Sequence, residues 1–412
     1  MFRKAMASDD ATLSLDFTTG TIPTAVTFTR SDFTARATYI DVGGYVKTVA
    51  TAGAARFDYT GGVAKGLLIE AAATNLAYRS NDFALTPSDG NNWNSSGYTA
   101  DFTSTSLPDG STGNARRLTM ASGSGSYRSS SITVTASTAY TFSFWARNNG
   151  GSQARYRVWN VTAGSSIVDY TLSGSNYVAS IGGANNTSST WVRISVTFTT
   201  PAGCTSIFVY PSSSDSGTVD LLVWGAQLEL GSQASSYIST AGSQLTRLAD
   251  DAVIRSTAWT SLYSKPGSIV VEYYRGEYGA GDRSVLAIDT AATKHIHLKH
   301  ANASAASGIY NSAGTGVATK ATGNASGLNK AAFTWSNANP SVIKYALNGN
   351  ATVVSATSDI GATLGTWMTI GSASTTGVSG SGTWEGYLNN SIKSIKYYSE
   401  VLSDADMIAK TT

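Results

Sequence analysis

Apolar and polar side chains alternate residue by residue through most of this chain, and helical spacing is almost absent. Val192-Arg193-Ile194-Ser195-Val196-Thr197-Phe198 and Tyr140-Thr141-Phe142-Ser143-Phe144 are two such runs. Successive side chains of a strand point to opposite faces, so a period of two describes a half-buried strand. Clusters of Gly, Asn and Ser bound these runs, as turns do. Charged residues make up 13% and hydrophobic residues 42% of the sequence, a balance that excludes a disordered chain. It suits many short strands with Ser, Thr and Asn on the solvent side. No repeat of 20 to 50 residues appears, which excludes a propeller or solenoid. The expected fold class is all-β.

With 412 residues the chain is long enough for two or three domains. The pattern predicts a small N-terminal β-hairpin region at 1–78, a jelly roll at 79–246 and a second β-sandwich at 247–412. Leu107-Pro108-Asp109-Gly110-Ser111 is a turn between strands of the middle part. Near the C-terminus, Ser403-Asp404-Ala405-Asp406 has the pattern of a helix cap, with a carboxylate three residues after the serine.

The middle segment holds the candidate binding residues. Tyr140, Phe142 and Phe144 alternate with Trp145 and Arg147. Tyr156 and Val158 alternate with Arg155, Arg157 and Trp159, and Val192 and Ile194 with Trp191 and Arg193. One face is core. The other is expected to gather Trp145, Trp159 and Trp191 among Arg147, Arg155, Arg157 and Arg193. An indole can stack on the apolar side of a sugar ring while guanidinium groups bind its hydroxyls or a carboxylate. The same residue types are enriched at protein interfaces, and Trp145 or Trp191 can also fill core at a sheet edge. All three readings stay open at this stage.

Three resemblances follow from local motifs. Thr27-Phe28-Thr29-Arg30, Tyr39-Ile40-Asp41, Arg56-Phe57-Asp58-Tyr59 and Gly66-Leu67-Leu68-Ile69-Glu70 with Thr74-Asn75-Leu76 come in the order seen in the leader of many bacteriophage virion-attached proteins. Ala71-Ala72-Ala73 departs from that pattern. The segment from Asn81-Asp82-Phe83 to Trp224-Gly225-Ala226-Gln227-Leu228-Glu229 is similar to carbohydrate-binding jelly rolls. The closing Leu402-Ser403-Asp404 resembles the end of concanavalin A-like (laminin-G type) lectin sandwiches. Together they imply a phage tail or head fibre or spike that binds host-surface glycans for adsorption. They also imply contacts with other virion proteins, a homotrimer, and a location on the tail or capsid surface after synthesis in the host cytoplasm. The alternatives are a purely structural decoration protein and a polysaccharide depolymerase with a site between subunits.

Other chemistry is poorly supported. Net charge is +2 without a basic run, so no nucleic-acid partner is expected. No apolar run approaches the ~20 residues of a membrane span, and Met1 to Ser8 has no signal-peptide core. Cys204 is the only cysteine, so no intrachain disulfide is available. His295, His297 and His300 lie close in sequence, but Lys294 and Lys299 beside them oppose a cation, and a polar strand face is expected. Glu272 and Glu277 are five residues apart and point to opposite strand faces, while retaining glycosidases of this fold place two acids on one face. Glu385 stands alone. No nucleophile elbow follows Gly123-Ser124-Gly125. No catalytic residue is therefore expected. Asp89, Asn91, Asn92, Asp215 and Asp220 supply oxygen ligands compatible with a structural calcium. They also suit turns, and neither a metal nor another cofactor is assigned.

Overall fold

The structure is a computed structural model and describes residues 11–32, 36–85, 92–173, 190–215, 217–255, 266–276, 283–291, 294–300, 307–308, 326–336, 341–350, 353–358, 367–372 and 386–412. The described residues form antiparallel sheets and one helix, as the alternation predicts.

The jelly roll pairs two sheets. The five-stranded sheet has the order Val192–Thr199, Ala139–Asn148, Val219–Leu230, Thr112–Met120, Thr99–Ser106. The six-stranded sheet runs Ser165–Ser173, Gln153–Asn160, Ser206–Ser214, Gly125–Ser129, Trp93–Ser96, with Ile132–Thr133 also paired to Ser206–Ser214. Phe142, Phe144, Val158, Val209, Leu221 and Val223 fill the space between them. The alternation of the sequence therefore marks the inward residues correctly.

The second sandwich is discontinuous in sequence. Its eight-stranded sheet runs from Val354–Ser358 through Gly267–Arg275 and Asn390–Tyr398 to the N-terminal strands Val63–Ile69 and Phe57–Thr60. Leu13–Asp16 pairs with the far half of Asn390–Tyr398. In the opposing six-stranded sheet Thr27–Thr29 pairs with Asp251–Arg255. Leu15, Phe17, Leu67 and Ile69 share one core with Ile269, Val271, Phe333, Trp335 and Ile395. The segment 1–78, expected as a separate region, thus supplies strands to the C-terminal sandwich. The physical reason is that its short strands bury too little apolar surface alone and gain a core by joining larger sheets. Gly66 makes one such junction. Its φ is +101°, and a Cβ there would lie 2.1 Å from the Ile392 carbonyl oxygen, so only glycine allows the strands this close.

The jelly roll sits as an insertion. Ala73–Asn75, leading into it, pairs with Leu245–Arg247, leading out. Asn75 clamps the crossing. Its amide donates to the carbonyls of Ala226 (3.0 Å) and Ile238 (2.8 Å), and its oxygen accepts from the backbone of Ala77 and Leu228. The closing helix Asp404–Thr411 starts at Ser403, whose hydroxyl accepts from the Asp406 amide at 3.2 Å, as the capping pattern predicts.

Candidate functional site

The strands that carry the seven candidate residues do not share a sheet. Ala139–Asn148 and Val192–Thr199 are neighbours in the five-stranded sheet, and Gln153–Asn160 lies in the six-stranded one. All seven side chains point away from the core, but in two opposite directions. Trp145, Arg147, Trp191 and Arg193 belong to one outer face and Arg155, Arg157 and Trp159 to the other. The single cluster expected from the sequence is therefore two sites. Period-two spacing reports which way a side chain points within its own sheet, and carries no information on which sheet the strand joins.

On the five-stranded face Trp145 is buried, while Arg147, Trp191 and Arg193 are half-buried. Trp145 is 7% exposed and packs with Trp224, Tyr237, Leu222, Leu107 and Val46 of the N-terminal hairpin. Its ring meets Trp224 at 5.4 Å and Tyr237 at 5.3 Å, both edge-on. Gly225, with φ +67°, permits this, because a Cβ there would lie 2.7 Å from Trp145 Cε3. Arg193 stacks on the other side of Trp145, 4.6 Å from the ring, and donates to the Ser235 carbonyl and the Ser143 hydroxyl. Arg147 donates to Thr105 at 2.7 Å and lies 5.2 Å from the Trp191 ring. The Trp191 indole N–H donates to the Ser106 carbonyl at 2.7 Å.

What holds the cover in place is a buried charge network built from the leader motifs. Arg30 pairs with Asp32 at 2.6 Å and with Asp250 at 2.9 Å. Arg56 pairs with Glu70 at 2.5 Å and with Asp250. Arg247 approaches Glu70 at 3.4 Å, and Ser236 donates to Glu70 through both its amide and its hydroxyl. Burial alone would raise the Glu70 pKa. The Arg247 and Arg56 guanidinium groups and the Ser236 donors outweigh it and hold the carboxyl down at about 2. The arginine and glutamate positions of the leader thus join 30–70 to 236–250, a role the sequence does not reveal because the partners lie some 180 residues away.

On the six-stranded face Arg128, Arg155, Arg157, Trp159 and Phe208 are half-buried, and Tyr210 is buried. Trp159 opposes Phe208, and Arg157 opposes Tyr210, across the same strand pair. Phe208 and Tyr210 point to one side, with ring centroids 6.4 Å apart. Arg157 lies 5.0 Å from the Trp159 ring and 6.0 Å from Tyr210. On the next strand the Arg128 guanidinium lies 3.7 Å above Phe208. Arg155 and Arg157 share the Asp169 carboxylate, at 2.5 Å and 2.8 Å from their Nη2 atoms, and Arg155 also reaches Asp215. Burial works to raise the Asp169 pKa, but its hydrogen bonds from Arg155 and Arg157 hold it below the usual range. A bulge keeps this strip continuous. Ser206–Ser214 spends one extra residue opposite Arg155–Arg157, beside Pro211, whose missing N–H is tolerated at a bulge. Across Arg155, Arg157, Trp159, Tyr210, Phe208 and Arg128, flat rings lie beside guanidinium groups. Sequence reasoning missed Phe208, Tyr210 and Arg128. Phe208 and Tyr210 alternate with Ile207 and Val209, the signal that could have found them.

Other expectations fare differently. Asp220 pairs with Arg117 at 2.7 Å and Asp215 with Arg155. Asn92 donates to the Leu85 carbonyl. These three act as local partners, and Asp89 and Asn91 lie outside the described residues. Glu272 pairs with Lys393 at 3.1 Å. Glu277 and Glu385 lie outside the described residues. His297 is buried against the Ser284 hydroxyl at 3.0 Å, while the side chains of His295 and His300 lie outside what is described. Among the described residues no three His, Cys, Asp or Glu side chains converge as a metal site, and no helix is long and apolar enough to cross a membrane.

Comparison with known proteins bears on the inserted domain. Residues 79–215 match the family described as "Carbohydrate binding domain" (CBM_4_9). No curated protein matches the chain. Among solved structures it is similar to the CBM40 domain of Ruminococcus gnavus IT-sialidase bound to α2,3-sialyllactose, with 23% identity, 38% of this chain and 87% of that one covered, and a TM-score of 0.28. A second likeness is to the N-terminal cellulose-binding domain of Cellulomonas fimi β-1,4-glucanase C, with 15% identity, 38% and 97% covered, and a TM-score of 0.25. A third, to domains LG4-5 of the mouse laminin α1 chain, has 11% identity, covers 76% and 90%, and has a TM-score of 0.24. The chain therefore contains a carbohydrate-binding-module domain, carried on about a third of its length.

Proposed function

We propose that the protein binds glycan through the outer face of its six-stranded jelly-roll sheet. The observation that carries this is the row of half-buried Trp159 and Phe208 around Tyr210, interleaved with Arg157 and Arg128, inside the segment that matches carbohydrate-binding domains. The rings supply apolar platforms for sugar faces, and Arg155 and Arg157, held by Asp169, supply fixed donors. Trp145, Arg147, Trp191 and Arg193 stand outside this surface. A glycan array followed by calorimetry on the best ligand tests it. Trp159→Ala is expected to weaken binding ~30-fold while the melting temperature stays nearly unchanged, and retained affinity in that variant would refute the site.

We further propose that binding serves phage adsorption, with no bond cleavage, in a homotrimeric virion protein whose weak sites gain strength by multiplicity. Support comes from the ordered leader motifs and the single cysteine. The N-terminal segment also leaves Val42, Tyr45 and Val63 exposed, an apolar patch suited to contact with another virion protein. Adsorption competition by the purified protein, its mass in solution and its release of oligosaccharide from host polysaccharide test these points separately. No competition, a monomer, or released sugar would each overturn its own part.

A further inference from the structure

A cavity of about 180 Å³ lies where the N-terminal hairpin, the jelly roll and the second sandwich meet, away from the Trp159 face. Tyr39, Asp58 and Lys65 come from the N-terminal strands, Trp145 and Arg193 from the five-stranded sheet, and Ser235 and Asn390 from the connector and the closing strand. Ligand sites favour such junctions. The volume is that of roughly six waters at about 30 Å³ each, and below the ~300 Å³ of a drug-sized site. One sugar ring is the upper limit.

The charges in the wall are unevenly answered. Glu70 is occupied by Arg56, Arg247 and Ser236, and Asp58 accepts from the Ile40 amide and pairs with Lys65 at 3.4 Å. Arg193 has the Ser235 carbonyl, the Ser143 hydroxyl and the Trp145 ring, but among the described residues no carboxylate within ion-pair distance. Among the described residues its buried Nε has no hydrogen-bond acceptor. A desolvated guanidinium without an anion is costly, and Glu229, the buried carboxyl whose field it feels most, is occupied by Gln227 and Ser235. The wall also carries groups that fit a polyol, namely the half-buried Tyr39 and the side chain of Asn390.

We propose that this cavity is a second saccharide site, selective for a single acidic monosaccharide unit whose carboxylate pairs with Arg193. It is independent of the Trp159 face, and the N-terminal segment supplies part of its wall.

Glucuronate and glucose titrated into the full-length protein, with indole N–H signals followed by NMR, test it. Glucuronate is expected to saturate and shift the Trp145 indole signal at least tenfold more readily than glucose. Trp159→Ala should leave that response unchanged, and Arg193→Gln should abolish it. Should Arg193→Gln fail to fold, Tyr39→Ala at the half-buried wall is expected to weaken glucuronate several-fold at unchanged melting temperature. Equal response to the two sugars, no shift of Trp145, loss in Trp159→Ala, or full retention in a folded Arg193→Gln or Tyr39→Ala protein would each overturn it.

Discussion

Trp145 and Trp159 stand on outward faces of the same sandwich, each beside an arginine, and only their surroundings differ. Over Trp145 lie the N-terminal hairpin, Tyr237 and the connector, pinned by the Arg30, Arg56, Glu70, Arg247 and Asp250 network. Beside Trp159 the strands Ser206–Ser214 and Gly125–Ser129 add Phe208, Tyr210 and Arg128, while Asp169 braces Arg155 and Arg157. An indole and a guanidinium on a sheet face are thus not a binding site by themselves. On the Trp159 face a neighbouring strand extends the row, whereas at Trp145 the N-terminal segment closes over the ring and leaves only a small cavity.

The sharpest way to break this comparison is to remove what each face depends on. Glu70→Gln leaves Arg56 and Arg247 with one partner fewer in a buried network and is expected to cost about 3–5 kcal/mol, read as a fall in chemical-denaturation midpoint. Trp145→Ala is expected to cost a similar ~3–5 kcal/mol as a cavity, with glycan affinity of the folded fraction unchanged. A stability loss under 1 kcal/mol in either would mean the covered face is not packed as described.

Acid sharpens the same contrast. The Glu70 pKa is lowered from 4.5 to about 2 in the folded protein. A lowered folded pKa stabilises fully above the unfolded value and is lost as pH falls through the folded one. The melting temperature of the wild type should therefore fall between pH 4.5 and 2, and that of Glu70→Gln should fall less steeply there. Parallel curves would contradict the network's role.

Smaller effects are expected on the six-stranded face. Trp159→Ala should cost about 2 kcal/mol or more of binding, a loss of ~30-fold, by calorimetry. Arg128→Ala, which removes a stacked cation, should cost about 0.5–1 kcal/mol. Arg117→Ala on the other outer face breaks a surface pair with Asp220 and should change stability by at most about 1 kcal/mol.

Much of this was legible in the sequence, and the remainder fails for identifiable reasons. Alternation placed Phe142, Phe144, Val158 and Val196 inward and all seven candidates outward, because side-chain direction is a local property of a strand. Sheet membership is not local. Gln153–Asn160 and Ala139–Asn148 follow one another in sequence yet enter opposite sheets, so seven candidates expected together separate into four and three. Cover is less local still, since Trp145 is hidden by residues as distant as Val46 and Tyr237. The leader motifs were visible as motifs, but their work as buried ion partners depends on Asp250 and Arg247, far along the chain. Phe208 and Tyr210 were available to the same alternation rule, in a strand interrupted by Pro211 and a run of serines that weakens the pattern.

One measurement bears most directly on the central contrast. Calorimetric titration of the best array glycan into wild type, Trp145→Ala and Trp159→Ala should give wild-type affinity for the first variant at reduced stability, and a loss near 30-fold for the second at full stability. The opposite pattern, with Trp145→Ala losing the ligand and Trp159→Ala keeping it, would place recognition of that glycan at the Trp145 side of the jelly roll and contradict the account.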